Sequence, residues 1–387
     1  MKKSLILFII ILIVILFFPV LNIVKWGVQP KRPLDVLILD KTVPTYDRYN
    51  HKSFHWILTH NKYVKGNKRL YSYKKDYFGF VPLRPFRDKQ WEPRRIRFAQ
   101  IIELADSLDA LYYADTYGVY FNDWYHGVNR SNRSRLIYGG LNNSDYSLLK
   151  EMKDRNKLVI AEYNILSYPT APLERNKTEN IFDIHWTGWA GKYYKDLNPA
   201  TNPEIPKWII KLYEKDNLET WPFTNSGIIL VKNDNKVIVL ENETHLDFDV
   251  PFIYSSKDAQ EAYDLPYKVN YPHWFNIIES GENVVLSEFK IHANYVGDSL
   301  LEANLIPEVF PAVIMQPEKK HYFYFSGDFA NNIVNYSTTY FKDIEKVDKY
   351  FYNNELSDKR KFYWKYYKPL VTNILNDYYL ELKTEKE

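Results

Sequence analysis

Three short apolar runs, each ending at a carboxylate, constrain this chain most. Leu34–Leu39 leads into Asp40, Ala110–Ala114 into Asp115, and Lys157–Ala161 into Glu162. Runs of that length between turn residues read as buried strands. Helical stripes fall between them. His51–Val64 carries Phe54, Trp56, Ile57, Leu58 and Val64; Arg95–Leu108 carries Ile96, Phe98, Ile101, Ile102, Ala105 and Leu108. Asn143-Ser144-Asp145 caps a third helix that runs through Met152. Strand alternating with helix at this spacing predicts an α/β fold: an open, doubly wound, mostly parallel sheet.

The pattern changes after Pro172. Ser226–Val231 and Lys236–Leu240 flank Asn233-Asp234-Asn235, and Trp274–Ile278 and Asn283–Phe289 flank Glu279–Glu282. Both read as β-hairpins and predict an antiparallel β extension, with an insert at about 220–295. Pro311–Met315 and His321–Phe325 return to buried-strand character and end at Ser326-Gly327-Asp328. Residues 336–387 read as a helical C-terminal segment rich in Tyr and Lys.

At the other end, an uncharged apolar run covers Leu5–Leu21. About 20 such residues cross a bilayer as one helix. A cleaved signal peptide has a shorter core and a small-residue cleavage site, which Val20–Gln29 lacks. The expectation is therefore a single-pass cell-membrane anchor over residues 1–25 that enters the membrane through residues 4–24. A stiff linker with Pro30 and Pro33 follows over 26–33, and the folded domain spans 34–335. Lysines flank the run on both sides, so positive charge gives little orientation; the short N-terminal tail favours an extracytoplasmic domain.

The chain has no cysteine, which excludes disulfides, thiolate metal sites and a cysteine nucleophile. A net charge of +3 gives no global support to nucleic-acid binding. Lys62–Arg97 is locally basic with interleaved Tyr71, Tyr73, Tyr77, Phe78, Phe80 and Trp91. Such a stretch suits an anionic lipid or envelope polymer, but charge runs are usually solvated surface, and that reading comes first. His51 and His55 have the i,i+4 spacing of zinc ligands, but no third ligand accompanies them. No metal and no cofactor is expected.

Ligands of open α/β sheets bind outside the C-terminal ends of the strands. That rule brings Asp40, Asp115, Glu162 and Asp328 to one rim, with Tyr117, Tyr163 and Asn164 as neighbours. Acidic residues also end strands as caps and turn formers. Glu162 is the strongest candidate, since Glu is a poor turn former, with Asp115 or Asp328 as its partner in acid–base chemistry. Asp183–Tyr194 places His185, Trp186 and Trp189 among glycines. It reads either as a loop whose aromatic faces stack on a sugar or as a buried plug.

Leu158–Asn164, Gly139-Gly140-Leu141 and Phe325-Ser326-Gly327-Asp328 together resemble the class I glutamine amidotransferase-like superfamily, over roughly residues 34–190 and 305–335. The resemblance implies a strand ending in an elbow that carries a cysteine nucleophile. Glu162 stands there instead, and the His-x-Glu pair expected near the last strand is missing. The fold carries over; glutamine hydrolysis does not.

Three functions follow as expectations. The first is a membrane-anchored, non-catalytic domain binding a glycan or cell-envelope polymer through Asp40, Tyr117, Tyr163, Asn164, His185, Trp186 and Trp189. The second is a glycoside-type hydrolase using Glu162 with Asp115 or Asp328. The third is a structural subunit of an envelope complex, docking through Tyr350, Phe351, Phe362, Tyr363, Trp364, Tyr366 and Tyr367 of the C-terminal helix.

Overall fold

The computed structural model describes residues 17, 19–127, 133–317 and 321–386. Most of the expected membrane span therefore lies outside the described residues. Among these no helix is long and apolar enough to cross a membrane.

In chain order the principal strands are β1 (Val36–Asp40), β2 (Phe78–Pro82), β3 (Trp91–Arg94), β4 (Ala110–Asp115), β5 (Leu158–Glu162), β6 (His185–Tyr194), β7 (Gly227–Lys232), β8 (Val237–Glu241), β9 (Phe252–Ser255), β10 (Lys268–Asn270), β11 (Trp274–Glu279), β12 (Val284–Lys290), β13 (Val309–Met315) and β14 (Tyr322–Phe325). Ten of them form one mixed sheet in the order β10-β9-β12-β13-β14-β5-β4-β1-β2-β3. The stretch β14-β5-β4-β1-β2 is parallel. On one side β13, β12, β9 and β10 extend it antiparallel, and β3 closes the other edge. The fold is thus mixed α/β on a large mixed sheet.

Side chains alternate across the pleat, and both faces are dry. Val36, Ile38, Ala110, Tyr112, Leu158 and Ile160 point into one apolar cluster; Leu37, Leu39, Leu111, Tyr113, Val159 and Ala161 point into another. Burial on both faces is why these strands read as continuous apolar runs. Helix α1 (Tyr49–His60) covers the first face with Phe54, Trp56, Ile57 and Leu58. Helices α2 (Ile101–Ser107) and α3 (Asn143–Asp154) cover the second with Ile101, Ala105, Leu148, Leu149 and Met152. A capping box starts α3: Asn142 accepts from the Asp145 N–H, and Asp145 accepts from the Asn142 N–H.

Four expectations are corrected here. Trp274–Ile278 and Asn283–Phe289 do not pair as a hairpin. β11 joins β6 in a second sheet of order β8-β7-β6-β11, while β12 enters the main sheet between β9 and β13. The expected insert at 220–295 is accordingly divided between two sheets.

The expected loop over 183–194 is mostly the ten-residue strand β6. Its pairing with β11 breaks between Trp186 and Ala190, around Gly188 at φ +87°. Only glycine takes that angle without strain. Trp186 and Trp189 are buried in the two main clusters, so neither offers a face for stacking.

The stiff linker expected over 26–33 is instead held against the folded body. Residues 19–28 are helical, with the Trp26 indole donating to the Thr59 carbonyl at 3.2 Å and the Lys62 ammonium 3.8 Å from the centre of the Trp26 rings. Arg32–Pro33 then pairs with Tyr63–Val64.

The C-terminal aromatics, finally, belong to this chain's own core. Phe362, Tyr363, Tyr366 and Tyr367 are fully buried and Trp364 nearly so; only Tyr350 is largely exposed. Their helix includes one wide turn, Tyr363–Tyr367, which packs them against α1 and the sheet.

Candidate functional site

The parallel strands end where the sequence rule places a site. Asp40, Asp115 and Glu162 are the last residues of β1, β4 and β5, and Asp328 follows β14. All four side chains are buried. They feel one another's charge: Asp115 responds to Asp40, Asp328 to Asp115 and Asp40, and Glu162 to Asp328 and Asp115. The sequence thus brings these four together. Their surroundings then separate them into two kinds.

Asp40 and Glu162 are tied into the fold. The Asp40 carboxyl lies 2.5 Å from His51 Nδ1 and accepts the Thr42 N–H at 2.8 Å. The other ring nitrogen of His51 faces the Tyr73 carbonyl at 2.9 Å, so it carries the proton. Burial pushes Asp40 up and His51 down to about 3. His55 is likewise buried and pushed down to about 3, with Nδ1 at 3.0 Å from the His51 carbonyl. The two histidines are structural. Glu162 accepts from the Tyr112 hydroxyl and from the backbone N–H groups of Phe329 and Ala330, the latter two at 3.0 and 3.1 Å. Burial raises its pKa against those bonds. Its bonds hold the turn after Asp328.

Asp115 and Asp328 are the responsive pair. Burial, and then the charge of Asp40, pushes Asp115 up to about 7; burial, and then Asp115, does the same to Asp328. Thr42 Oγ1 donates to Asp115 at 2.6 Å, the Tyr117 N–H at 2.6 Å, and the Asn50 and Asn164 side-chain amides at 3.0 Å each. Asn331 donates to Asp328 at 2.8 Å. Gly327 makes the turn into Asp328 possible: a Cβ there would meet the Tyr271 hydroxyl at 2.4 Å. The Asp328 N–H donates to the Trp274 carbonyl at 2.9 Å, which docks the second sheet at the rim. Perturbed, mutually interacting acids at strand ends mark candidate functional sites.

The rim beside Asp115 is aromatic. Tyr117 and Tyr168 are 40% and 60% exposed, and the Tyr117 and Tyr120 rings lie 4.9 Å apart. Burial, and then the neighbouring Tyr117 and Tyr168, raises the pKa of Tyr120. Tyr163 is buried, its carbonyl accepting from Asn276 at 2.9 Å.

His185 is not part of this site. It starts β6, seven residues from Lys192, which pairs with Trp274 at the rim. At about 3.3 Å per residue that is roughly 20 Å away. His185 lies 3.6 Å from Glu179 instead. Asn50, Thr42, Tyr120 and Tyr168 were missed by the sequence reading, because only the parallel order of β1, β4 and β5 assembles them. Among the described residues no group of three or more His, Asp or Glu is disposed to hold a metal ion.

No protein-family model and no curated protein sequence matches the chain. A ThuA-like protein from Bacteroides uniformis, of solved structure, shares 8% identity over 89% of this chain and 91% of its own, with a TM-score of 0.36.

Proposed function

We propose that the rim at the strand ends binds a polyhydroxylated, glycan-type ligand. The observation that carries this is the junction of two recognition chemistries: the buried, interacting carboxyls Asp115 and Asp328 at the strand ends, and the exposed rings of Tyr117 and Tyr168 beside them. A sugar has an apolar face that suits an aromatic ring and hydroxyls that suit carboxyl acceptors. Held in a membrane by the expected N-terminal anchor, such a domain would meet cell-envelope polymers.

The test is calorimetric titration of the full-length protein with a panel of oligosaccharides, repeated for Tyr117→Ala, Tyr168→Ala and Asp115→Asn. Binding that falls at least tenfold in all three supports the reading. A panel without a binder, or binding indifferent to all three, removes it.

A second reading is favoured by one specific observation. Two interacting acids that titrate near neutrality can supply the acid and base of glycosidic hydrolysis. Asp115 and Asp328 would be that pair, in place of Glu162. Release of new reducing ends from a bound oligosaccharide, abolished by Asp328→Asn, distinguishes cleavage from binding alone.

A further inference from the structure

Beside Asp328 lies a group of cationic side chains that the carboxyl site does not use. Lys192, on β6, is cross-strand partner to Trp274, whose carbonyl receives the Asp328 N–H. His273 precedes Trp274 in the chain. Lys359 begins the C-terminal helix, and its segment is fastened to the same region: Asn270 donates to the Leu356 carbonyl at 2.5 Å, and Lys195 pairs with Glu355 at 3.2 Å. Phe362, one turn after Lys359, has its ring 6.3 Å from that of His273.

The two ammonium groups are poorly answered by the protein. Among the described residues neither makes a hydrogen bond within 3.5 Å. Among the described residues the nearest carboxylate to Lys192 is Glu204, at 3.6 Å and 60% exposed, and Lys359 has none within 4.0 Å, although the charges of Asp328 and Glu204 reach both. Lys192 is held between aromatic rings instead, 4.5 Å from the centre of Tyr194 and 5.8 Å from that of Trp274. His273 is buried, and its Nε2 has no hydrogen-bond partner. Burial lowers all three groups, Lys192 to about 8, and each lysine adds to the effect on His273. An enclosed cation with only a loose partner is costly. Ammonium groups that donate no close hydrogen bond suit an anion.

We infer that Lys192 and Lys359, backed by His273, form a subsite for an anionic group on the ligand, next to Asp328. This rests on the glycan reading and narrows it to acidic glycans, whose carboxylate or phosphate would lie on the two ammonium groups. A neutral sugar would fill the carboxyl and tyrosine part only. The chemistry sought is a compact group of anionic oxygens; carboxylate and phosphate are separated by the probes below.

The experiment is calorimetric titration of the full-length protein with glucuronate, glucose, glucose 6-phosphate and inorganic phosphate, with Lys359→Gln, Lys359→Arg and Asp115→Asn in parallel. Binding of at least one acidic sugar ten or more times tighter than glucose is expected. Lys359→Gln should erase that preference and Lys359→Arg should keep it, each with an unchanged unfolding midpoint. Whichever of glucuronate and glucose 6-phosphate is preferred names the anion. Equal binding of neutral and acidic sugars, or a preference that survives Lys359→Gln, overturns the inference while leaving the glycan reading intact. If no sugar binds, the glycan reading fails, and inorganic phosphate decides the subsite alone: binding lost in Lys359→Gln and kept in Asp115→Asn supports it, and no phosphate binding overturns it. Should Lys359→Gln unfold, Lys192→Met carries the same comparison.

Discussion

The hydroxyl of Tyr112 lies 2.6 Å from that of Tyr367. Tyr112 also donates to Glu162, so the C-terminal helix, the central strand β4 and the turn after Asp328 share one buried chain of polar groups. Tyr112→Phe leaves Glu162 short of a donor inside the core, which costs about 1–3 kcal/mol. Tyr367→Phe leaves the Tyr112–Glu162 bond in place and should cost less, about 1 kcal/mol. Urea unfolding of both variants measures this; equal stability of Tyr112→Phe and the parent would show that the chain contributes nothing.

The Asp115–Asp328 pair predicts a pH dependence of known sign. Both acids bind protons more tightly folded than unfolded, where an aspartate titrates near about 3.9. Their contribution to stability is complete below the unfolded value and is lost as pH rises to about 7. The buried neutral histidines His51 and His55 act oppositely, withdrawing stability as pH falls from 6.5 toward 3. The comparison to make is therefore between the parent and Asp115→Asn/Asp328→Asn. The double variant should gain on the parent between about pH 4 and 8, by several-fold or more in its unfolding constant. A constant difference across that range would mean that these acids are not shifted.

Trp186→Ala and Trp189→Ala should each cost about 3–5 kcal/mol, as buried aromatic truncations do. Trp186 also donates its indole N–H to the Trp189 carbonyl at 2.9 Å, so its loss unties β6 at the bulge. Guanidinium unfolding gives the number. A loss of ligand binding without a loss of stability would instead restore the stacking loop expected from the sequence.

Lys41 and Asp145 form a buried ion pair at 2.5 Å that ties the end of β1 to the start of α3. Lys41→Met strands the carboxylate and should cost about 3–5 kcal/mol. Adding Asp145→Asn removes the stranded charge and should recover part of the loss, with the capping box weakened. A double variant no more stable than Lys41→Met argues against the pair as the cause.

How much of this was written in the chain can be judged from particular residues. The runs ending at Asp40, Asp115 and Glu162 announced the parallel strands because both of their faces are dry, and the four acids do lie at or just after strand ends. Their ranking was not legible. Glu162 looked most functional because Glu suits turns poorly, yet it is there to accept two backbone N–H groups from a segment 167 and 168 residues away. β6 failed as a strand because its glycines and tryptophans break the two-residue alternation; the bulge at Gly188 is what lets it pair. The aromatic C-terminal helix looked like a surface because its tyrosines alternate with lysines. The wide turn at Tyr363–Tyr367 and the partners waiting in α1 turn them inward. Lys192, His273 and Lys359 carry no motif at all, since three separate chain segments meet there.

The docking of the N-terminal helix has a mechanical consequence. Lys25 pairs with Asp343, Trp26 is wedged between Lys62 and Tyr340, and Arg32 donates to Asn376 at 2.8 Å. The chain's entry is thus clamped to the same helical layer that closes it. Whatever the residues ahead of this helix are fastened to, the body follows as a crank follows its shaft. The strand-end acids Asp115 and Asp328 turn with it.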